Sequence, residues 1–449
     1  MEINPHIFRA YDIRGIYPKD LNETTFRKIG FALGRKRKKY LVGNDIRKSG
    51  KSLALALISG LLAKKSKVVY GGTGSFGQIL FSGLKKKADF TLFVTASHLP
   101  SKWNGLKIFK GDGEPIPPEK LKDKVLKIKE KEIKFKKPKI KTLNLGKDYI
   151  NFLLKTFSDL KKAKFKIVLD CGGGSTSLVA PKIFKKLGFH LIEIFCKPDP
   201  TFSKRNPEPK PENLRRLIKT VIKRKANFGV AFDGDGDRGV IIDDKGRYLR
   251  GDQLALILAK EIFKKEKKKI VIKTVSCTMA LERELGKLGT KVIEVPVGHT
   301  FVGIACKKEK AILGIEESSH LYYPKIYLFD DAILTPLFVA RVLMKTGKKL
   351  SQLVDEIPIY SFKEIDFPCK DEIKFQVVER MKKKFKKRYQ KINTLDGVKI
   401  YFKDSWVLIR ASNTSPKIKL YVEATTKKKL SILKNKFSRI LKKCIKQLS

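Results

Sequence analysis

The chain has 449 residues, of which 42% are hydrophobic; this length predicts about three or four domains and excludes a single small binding module. No apolar stretch reaches the roughly 18 residues that a membrane-spanning helix needs, so we expect a soluble protein of the cytoplasm. A formal charge of +54 makes nucleic-acid binding the first alternative, but the lysines are spread along the chain, which favours solvated helix faces.

The first section of the chain, residues 1–145, begins with a pattern typical of α/β domains. An apolar strand ending at Val42 is followed by a polar loop, a helix near 53–62 and a second strand at 67–70. The lysine-rich segment 120–141 predicts a helix and a connector to the next domain.

A serine stands in the segment VTASHLP, residues 94–100, where a strand ends in small residues. The hydroxyl of Ser97 is therefore a candidate nucleophile, although a plain turn serine explains the segment equally well. A Ser-His hydrolase is not favoured, because neighbours at a strand end should point apart and no G-x-S-x-G motif is present.

The second section, 146–246, repeats the strand-helix-strand pattern and carries the segment FDGDGDR between two apolar runs. Alternate residues of an extended loop face one way, and the intervening glycines allow tight curvature. Asp233, Asp235 and Asp237 can therefore reach one hard cation, and Mg²⁺ prefers such oxygen ligands. An EF-hand is excluded, because its sixth position would be Arg238 instead of glycine.

The third section, 247–357, shows the same pattern again and contains the segment GIEESSH, residues 314–320. Its acceptors and donors could bind sugar hydroxyls, and a helix N-terminus would have a similar composition. Three tandem α/β domains with mixed sheets are therefore predicted.

The last section, 358–449, is predicted to be α+β, with four strands and a closing amphipathic helix at 427–447. Between two of its strands lies RASNTSP, residues 410–416, which offers a guanidinium, hydroxyls and backbone N–H groups. Such a loop suits a phosphate, and a simple turn is equally consistent with it.

Together, these four loops in this order resemble the signatures of the alpha-D-phosphohexomutase superfamily. The segment FRAYDIRG, residues 8–15, is similar to the phosphomannomutase/phosphoglucomutase branch, and so is the loop 410–416. The resemblance spans nearly the whole chain. It implies four domains around a central cleft, the last of which resembles the TATA-box-binding-protein fold.

The resemblance also implies an isomerase that interconverts hexose 1-phosphates and hexose 6-phosphates through a hexose 1,6-bisphosphate, which also primes the enzyme. Ser97 would be a phosphoserine whose phosphoryl oxygen joins the three aspartates around Mg²⁺. The catalytic or orienting residues that the resemblance implies are Ser97, His98, Lys107, Arg238, His299 and Arg14, with Lys107 and His299 as the first candidates for proton transfer. The substrate-binding residues that it implies are Tyr11, Lys273, Glu316, Ser318, His320, Arg410, Ser412, Asn413 and Thr414.

Some positions depart from the family pattern. Leu99 replaces a usual asparagine, and Ile315 and Ser319 replace usual glycines, so the sugar preference is less certain than the reaction class. A phosphoglucosamine mutase is one alternative, and a catalytically reduced member that binds polyanions is another. Small hexose phosphates are the expected partners, without a membrane or a specific nucleic acid, and monomer and homodimer both remain open.

Overall fold

The computed structural model describes residues 3–133, 142–143, 145–413 and 415–448, which form four β-sheets with helices packed against them. Within these ranges, no helix combines the length and the apolar character that crossing a membrane would require.

The first sheet has the strand order β1-β5-β4-β2-β3. Its strands are β1 (Ile13–Ile16), β2 (Lys39–Asn44), β3 (Lys67–Thr73), β4 (Phe90–Val94) and β5 (Trp103–Lys110). The helices of this section are α1 (Glu23–Leu33), α2 (Gly50–Ala63), α3 (Phe76–Lys85) and α4 (Lys122–Lys127). The segment 120–141, predicted as a helix and a connector, contains the helix α4 and then non-helical chain or short 3₁₀ turns up to residue 133; residues 134–141 lie outside the described part.

The second and third sheets have the orders β10-β9-β8-β6-β7 and β12-β11-β13-β14. The second contains β6 (Lys166–Asp170), β7 (His190–Ile194), β8 (Phe228–Phe232), β9 (Gly239–Asp243) and β10 (Tyr248–Leu249), with helices α5 (Gly146–Thr156), α6 (Ala180–Lys186) and α7 (Arg215–Lys223). The third contains β11 (Ile270–Thr274), β12 (Lys291–Val295), β13 (Leu313–Ile315) and β14 (Leu321–Tyr322), with α8 (Gly251–Ile262), α9 (Ala280–Gly286), α10 (His299–Glu309), α11 (Leu334–Thr346) and α12 (Leu350–Asp355).

One topology recurs in these three sheets. The strands β2, β6 and β11 each lie between two parallel neighbours, and the later neighbour, β4, β8 or β13, then pairs with an antiparallel strand. The mixed α/β architecture predicted from the sequence is confirmed. The three sequence motifs at 94–100, 233–238 and 314–320 all occupy the connection after that later parallel strand.

The fourth sheet is antiparallel, with the order β15-β19-β18-β17-β16. Its strands are β15 (Ser361–Pro368), β16 (Ile392–Asn393), β17 (Val398–Tyr401), β18 (Ser405–Ala411) and β19 (Lys417–Ala424), and its helices are α13 (Asp371–Lys386) and α14 (Lys427–Lys446). The predicted α+β character is confirmed, and the segment 410–416 comprises the end of β18 and the connection to β19.

The apolar cores explain how the four sheets are held together. One continuous cluster includes Phe76, Leu169 and Leu313, so the first three sheets share a core. The fourth sheet has its own core against α13 and α14. Its other face packs on the third section through a small cluster that contains Trp406 and Val275.

Candidate active site

The connection between β4 and β5 holds Ser97 at 1% exposure. Its backbone lies in the left-handed region, with φ of 51°, so the alternation of a strand does not apply there. Ser97 Oγ lies 3.4 Å from Nδ1 of His98, and the prediction that these neighbours point apart is therefore wrong. The Ser97 N–H donates to Thr95 Oγ1 at 2.9 Å and Arg47 donates to the Ser97 carbonyl at 2.8 Å, which fixes the turn.

The acidic loop between β8 and β9 places Asp233, Asp235 and Asp237 in the interior, at no more than 1% exposure each. One oxygen from each carboxylate lies within 4.8 Å of the others, an arrangement that could hold a metal ion. Ser97 Oγ donates to Oδ2 of Asp233 at 2.8 Å. The structure thus brings together the serine and the three carboxylates that the sequence predicted as a site.

Gly234 allows this close approach of the two loops. A Cβ atom at this position would lie 2.5 Å from the carbonyl oxygen of Ser97, well inside ordinary contact distance. Gly236 has φ of 86°, a left-handed conformation that favours glycine. Both glycines of the motif are therefore required by local geometry.

The charge of the acidic loop is balanced in part by Lys107, which lies on β5. Its Nζ lies 3.1 Å from Asp235 Oδ2 and also contacts Asp237. Burial alone would lower the pKa of Lys107, but these two carboxylates raise it above its ordinary value, so the side chain stays a cation.

The three buried carboxylates carry more negative charge than one lysine can neutralise. Burial, followed by the charges of Asp237 and Asp235, raises the pKa of Asp233 well above that of an ordinary aspartate. Oδ1 of Asp235 is buried and has no hydrogen-bond partner within the described ranges. An oxygen-only donor set with excess negative charge fits a hard divalent cation such as Mg²⁺.

A cleft of about 540 Å³ opens beside this cluster, and all four sections contribute to its walls. The predicted site residues that line it are Tyr11, Arg14, His98, Arg238, His299, Glu316, Ser318, His320, Arg410, Ser412 and Asn413. The cations of the cleft come from different sections, because Arg238 flanks the acidic loop while Arg410 lies near the end of β18. The cleft thus combines a metal-type cluster with cationic side chains from more than one section.

Glu316, His299 and His320 form the polar wall that the third section supplies. Burial raises the pKa of Glu316 to about 7, and its Oε1 has no hydrogen-bond partner in the described part of the chain. Burial also lowers the pKa of His299, whose two ring nitrogens are likewise without partners there. These orphaned groups are available to a polar ligand.

His320 is held between two neighbours. Its Nδ1 contacts Asp330, and its Nε2 accepts from Nε of Arg238 at 2.7 Å. Burial lowers the pKa of His320 to about 4, so the ring is neutral at pH 7. The pair Asp330 and His320 therefore orients the guanidinium of Arg238.

The two arginines at the other walls are also fixed by carboxylates. Arg14 Nε donates to Asp12 at 2.6 Å, and Arg410 Nε donates to Asp396 at 2.7 Å. Nη2 of Arg410 is buried and has no partner among the described residues, so it can bind an anion in the cleft.

Two predicted substrate residues stand apart. Lys273 is completely buried beside Glu282 and Glu294, and it does not line the cleft. Thr414 lies outside the described residues.

Sequence reasoning assigned no role to several residues that shape the site. Asp45 Oδ2 accepts from Thr95 at 2.8 Å and from Arg47 Nε at 3.0 Å, so these residues support the serine turn from β2. The only local signal was the polar loop that follows an apolar strand at Val42. Asp330 had no recognisable motif around it.

Four family models match the chain in order. They describe phosphoglucomutase/phosphomannomutase alpha/beta/alpha domains I, II and III over residues 5–135, 147–246 and 250–360, and the C-terminal domain over 364–440.

Curated relatives match along almost their whole length. A phosphoglucomutase/phosphomannomutase of Thermococcus kodakarensis is 31% identical over 94% of this chain and 95% of its own. A phosphomannomutase of Methanocaldococcus jannaschii is 34% identical, covering 97% and 98% respectively. A probable phosphoglucosamine mutase of Methanopyrus kandleri is 29% identical, covering 98% and 99%.

Solved structures show the same arrangement. A phosphoglucomutase/phosphomannomutase family protein from Burkholderia thailandensis superposes with a TM-score of 0.87 at 28% identity, covering 98% of each chain. A putative phosphomannomutase from Thermus thermophilus gives a TM-score of 0.84 at 25% identity, covering 98% of this chain and 99% of its own.

Proposed function

Because the chain belongs to the phosphoglucomutase/phosphomannomutase family, we propose that it is an isomerase that interconverts hexose 1-phosphates and hexose 6-phosphates through a phosphoserine at Ser97. The observation that carries this proposal is the hydrogen bond of 2.8 Å between Ser97 Oγ and Asp233. It places a nucleophilic oxygen against a metal-type cluster beside the cleft, and Arg410, near the end of β18 in the fourth section, lines the same cleft.

The proposed reaction has two phosphoryl transfers. The phosphoryl group leaves Ser97 Oγ for the free hydroxyl of a hexose monophosphate, which gives a bisphosphate and a serine. The bisphosphate then turns end for end, and Ser97 Oγ takes the other phosphoryl group, which restores the phosphoserine and releases the isomeric monophosphate. Phosphoryl transfer requires mainly in-line positioning and neutralisation of charge, so the protein performs little covalent chemistry itself.

We propose Mg²⁺ as the resident ion, held by Asp233, Asp235, Asp237 and a phosphoryl oxygen on Ser97. When bound, it would neutralise charge on the transferred group. We also propose a hexose 1,6-bisphosphate as the activator, since an enzyme with unmodified Ser97 must acquire a phosphoryl group before the first cycle.

The remaining residues have separate proposed roles. Lys107, held as a cation by two carboxylates, would stabilise charge on the transferred phosphoryl group together with Arg14 and Arg238. His98 and His299 stay candidates for orientation or proton transfer at the reacting hydroxyl.

The proposed substrate contacts fall into two groups. Sugar hydroxyls would form hydrogen bonds with Glu316, Ser318 and His320, and the sugar would also contact Tyr11. Arg410, Ser412 and Asn413 would hold the phosphate that does not react, and the same loop would serve both half-reactions. The position of Lys273 supports a role in packing more than in substrate contact.

Mannose and glucose phosphates are the proposed substrates, in the cytoplasm. Glucosamine phosphate is the second candidate, because relatives such as that of Methanopyrus kandleri carry the name phosphoglucosamine mutase. The departures at Leu99, Ile315 and Ser319 lie beside the serine and in the sugar loop, where they would tune this preference.

The test follows conversion of mannose 1-phosphate, glucose 1-phosphate and glucosamine 1-phosphate to their 6-phosphates with Mg²⁺ and a trace of the matching bisphosphate. We expect turnover by the wild type and none by Ser97→Ala, together with a phosphoryl mass on Ser97 of the active enzyme. Equal turnover by both proteins would refute the phosphoserine mechanism. Failure with all three sugars would refute the mutase assignment.

A further inference from the structure

Lys374 lies in the first turn of α13, beneath the loop that joins β18 to β19. Its side chain is 3% exposed, and it is not among the residues that line the cleft. Its Nζ donates to the carbonyl oxygens of Ser412 at 2.7 Å and Ser415 at 3.3 Å, and to Asp371 Oδ1 at 2.5 Å. An ammonium group has three N–H donors, so all of them are used.

These contacts determine which way part of the loop faces. The carbonyl of Ser412 points inward to Lys374, and in a planar trans peptide the N–H of the next residue points the opposite way. That residue is Asn413, which lines the cleft together with Ser412. The N–H of Asn413 therefore points away from the buried ammonium, on the side of the peptide opposite to Lys374.

Asp371 extends this support to the N-terminal segment. Its Oδ2 lies 3.5 Å from Nη1 of Arg9, which precedes the cleft residues Tyr11 and Arg14 in the chain. One carboxylate is thus shared between the lysine under the loop and the N-terminal segment.

We propose that Lys374 is a positioning residue that shapes the loop between β18 and β19 for the non-reacting phosphate of the substrate. This inference rests on the proposed function for the identity of the sugar, but it concerns only the phosphate. We take the non-reacting phosphate to be held equally in the ground state and the transition state; loss of such a uniform contact raises KM and leaves kcat nearly unchanged. Hydrogen bonds to charged groups of this kind correspond to roughly a tenfold to hundredfold change in affinity.

The experiment compares Lys374→Met with Lys382→Met. Both variants remove one positive charge from α13, but the partly exposed Lys382 pairs with the exposed Glu379 and not with the loop between β18 and β19. We expect Lys374→Met to raise the KM for hexose phosphate and the Kd for inorganic phosphate, measured by calorimetry, by about tenfold or more, with kcat within about threefold of the wild type. Lys382→Met should match the wild type in all three constants.

Asp371→Asn provides the milder change, in case Lys374→Met does not fold. The amide keeps the shape of the side chain but weakens its hold on Lys374 and Arg9, so we expect the same KM effect at about threefold to tenfold. An unchanged KM in a folded Lys374→Met or Asp371→Asn variant would overturn the inference, and so would a fall in kcat at constant KM.

Inorganic phosphate separates this inference from the proposed function. If the wild type turns over no hexose phosphate but binds phosphate more tightly than Lys374→Met does, the proposed function fails and the role of Lys374 stands. If the wild type and the variant bind phosphate equally while hexose phosphates are turned over with equal KM, the role of Lys374 fails and the proposed function stands.

Discussion

Replacement of Gly234 by alanine tests the contact between the serine turn and the acidic loop. The new Cβ would meet the Ser97 carbonyl oxygen at 2.5 Å, so reaching an ordinary contact of 3.4 Å requires a displacement of 3.4 − 2.5 = 0.9 Å. The carbonyl has little freedom to move, because Arg47 donates to it at 2.8 Å. A displacement of about 1 Å at a reacting group costs roughly a hundredfold in rate, or about 2.7 kcal/mol in activation free energy.

The matched control is Gly286→Ala at the end of α9, where a Cβ would meet nothing within 4 Å. We expect Gly234→Ala to lose roughly a hundredfold in kcat and about 1–3 kcal/mol in free energy of unfolding. Gly286→Ala should keep full activity and gain about 0.5–1 kcal/mol. Mutase turnover measures the change in kcat, and thermal melting measures the change in stability. A fully active Gly234→Ala enzyme would refute the proposed pairing of the serine and the metal cluster.

Three further predictions concern pH, stability and metal. Burial raises the pKa of Glu316 to about 7, so below that pH the group is protonated and loses the stronger, charge-assisted hydrogen bonds from the sugar. KM should therefore rise as pH falls below about 7, and Glu316→Gln should flatten this profile. Glu423 accepts hydrogen bonds from Trp406 Nε1 at 2.7 Å and from the Met279 N–H at 2.8 Å. In chemical denaturation, Glu423→Ala should therefore lower the free energy of unfolding by about 2–6 kcal/mol. Glu379, which is 59% exposed, is the control, and its replacement by alanine should change that free energy by no more than about 0.5 kcal/mol. EDTA should abolish turnover and Mg²⁺ restore it; activity that persists in a chelated, metal-free sample would contradict the metal site.

Local patterns in the sequence were enough to predict the sheets and the acidic loop. The alternation of acids and glycines in FDGDGDR predicts a tightly curved loop whose carboxylates face one way. In the structure, Gly234 lies at a close approach to Ser97 and Gly236 has a positive φ, as such a loop requires. The importance of Ser97 came from the family resemblance, since a serine after a strand carries no specific signal alone.

Local patterns could not identify the supporting residues. Lys107, which only the family resemblance singled out, pairs with Asp235 across 128 positions of sequence, and Lys374 supports a loop 38 positions away. In a chain with 99 lysines and arginines, nothing distinguishes a buried lysine from a solvated one. Lys273 illustrates the reverse case, because the family resemblance implied a substrate contact while the structure buries it beside Glu282 and Glu294.

The shared position of three motifs determines how the site is divided among the sheets. The serine turn, the acidic loop and the loop of Glu316 follow β4, β8 and β13, which hold the same place in three sheets of related topology. Each sheet supplies a different part, so none of the three carries the complete site. A displacement of one sheet against the others therefore changes the geometry of the site even when every loop keeps its own conformation.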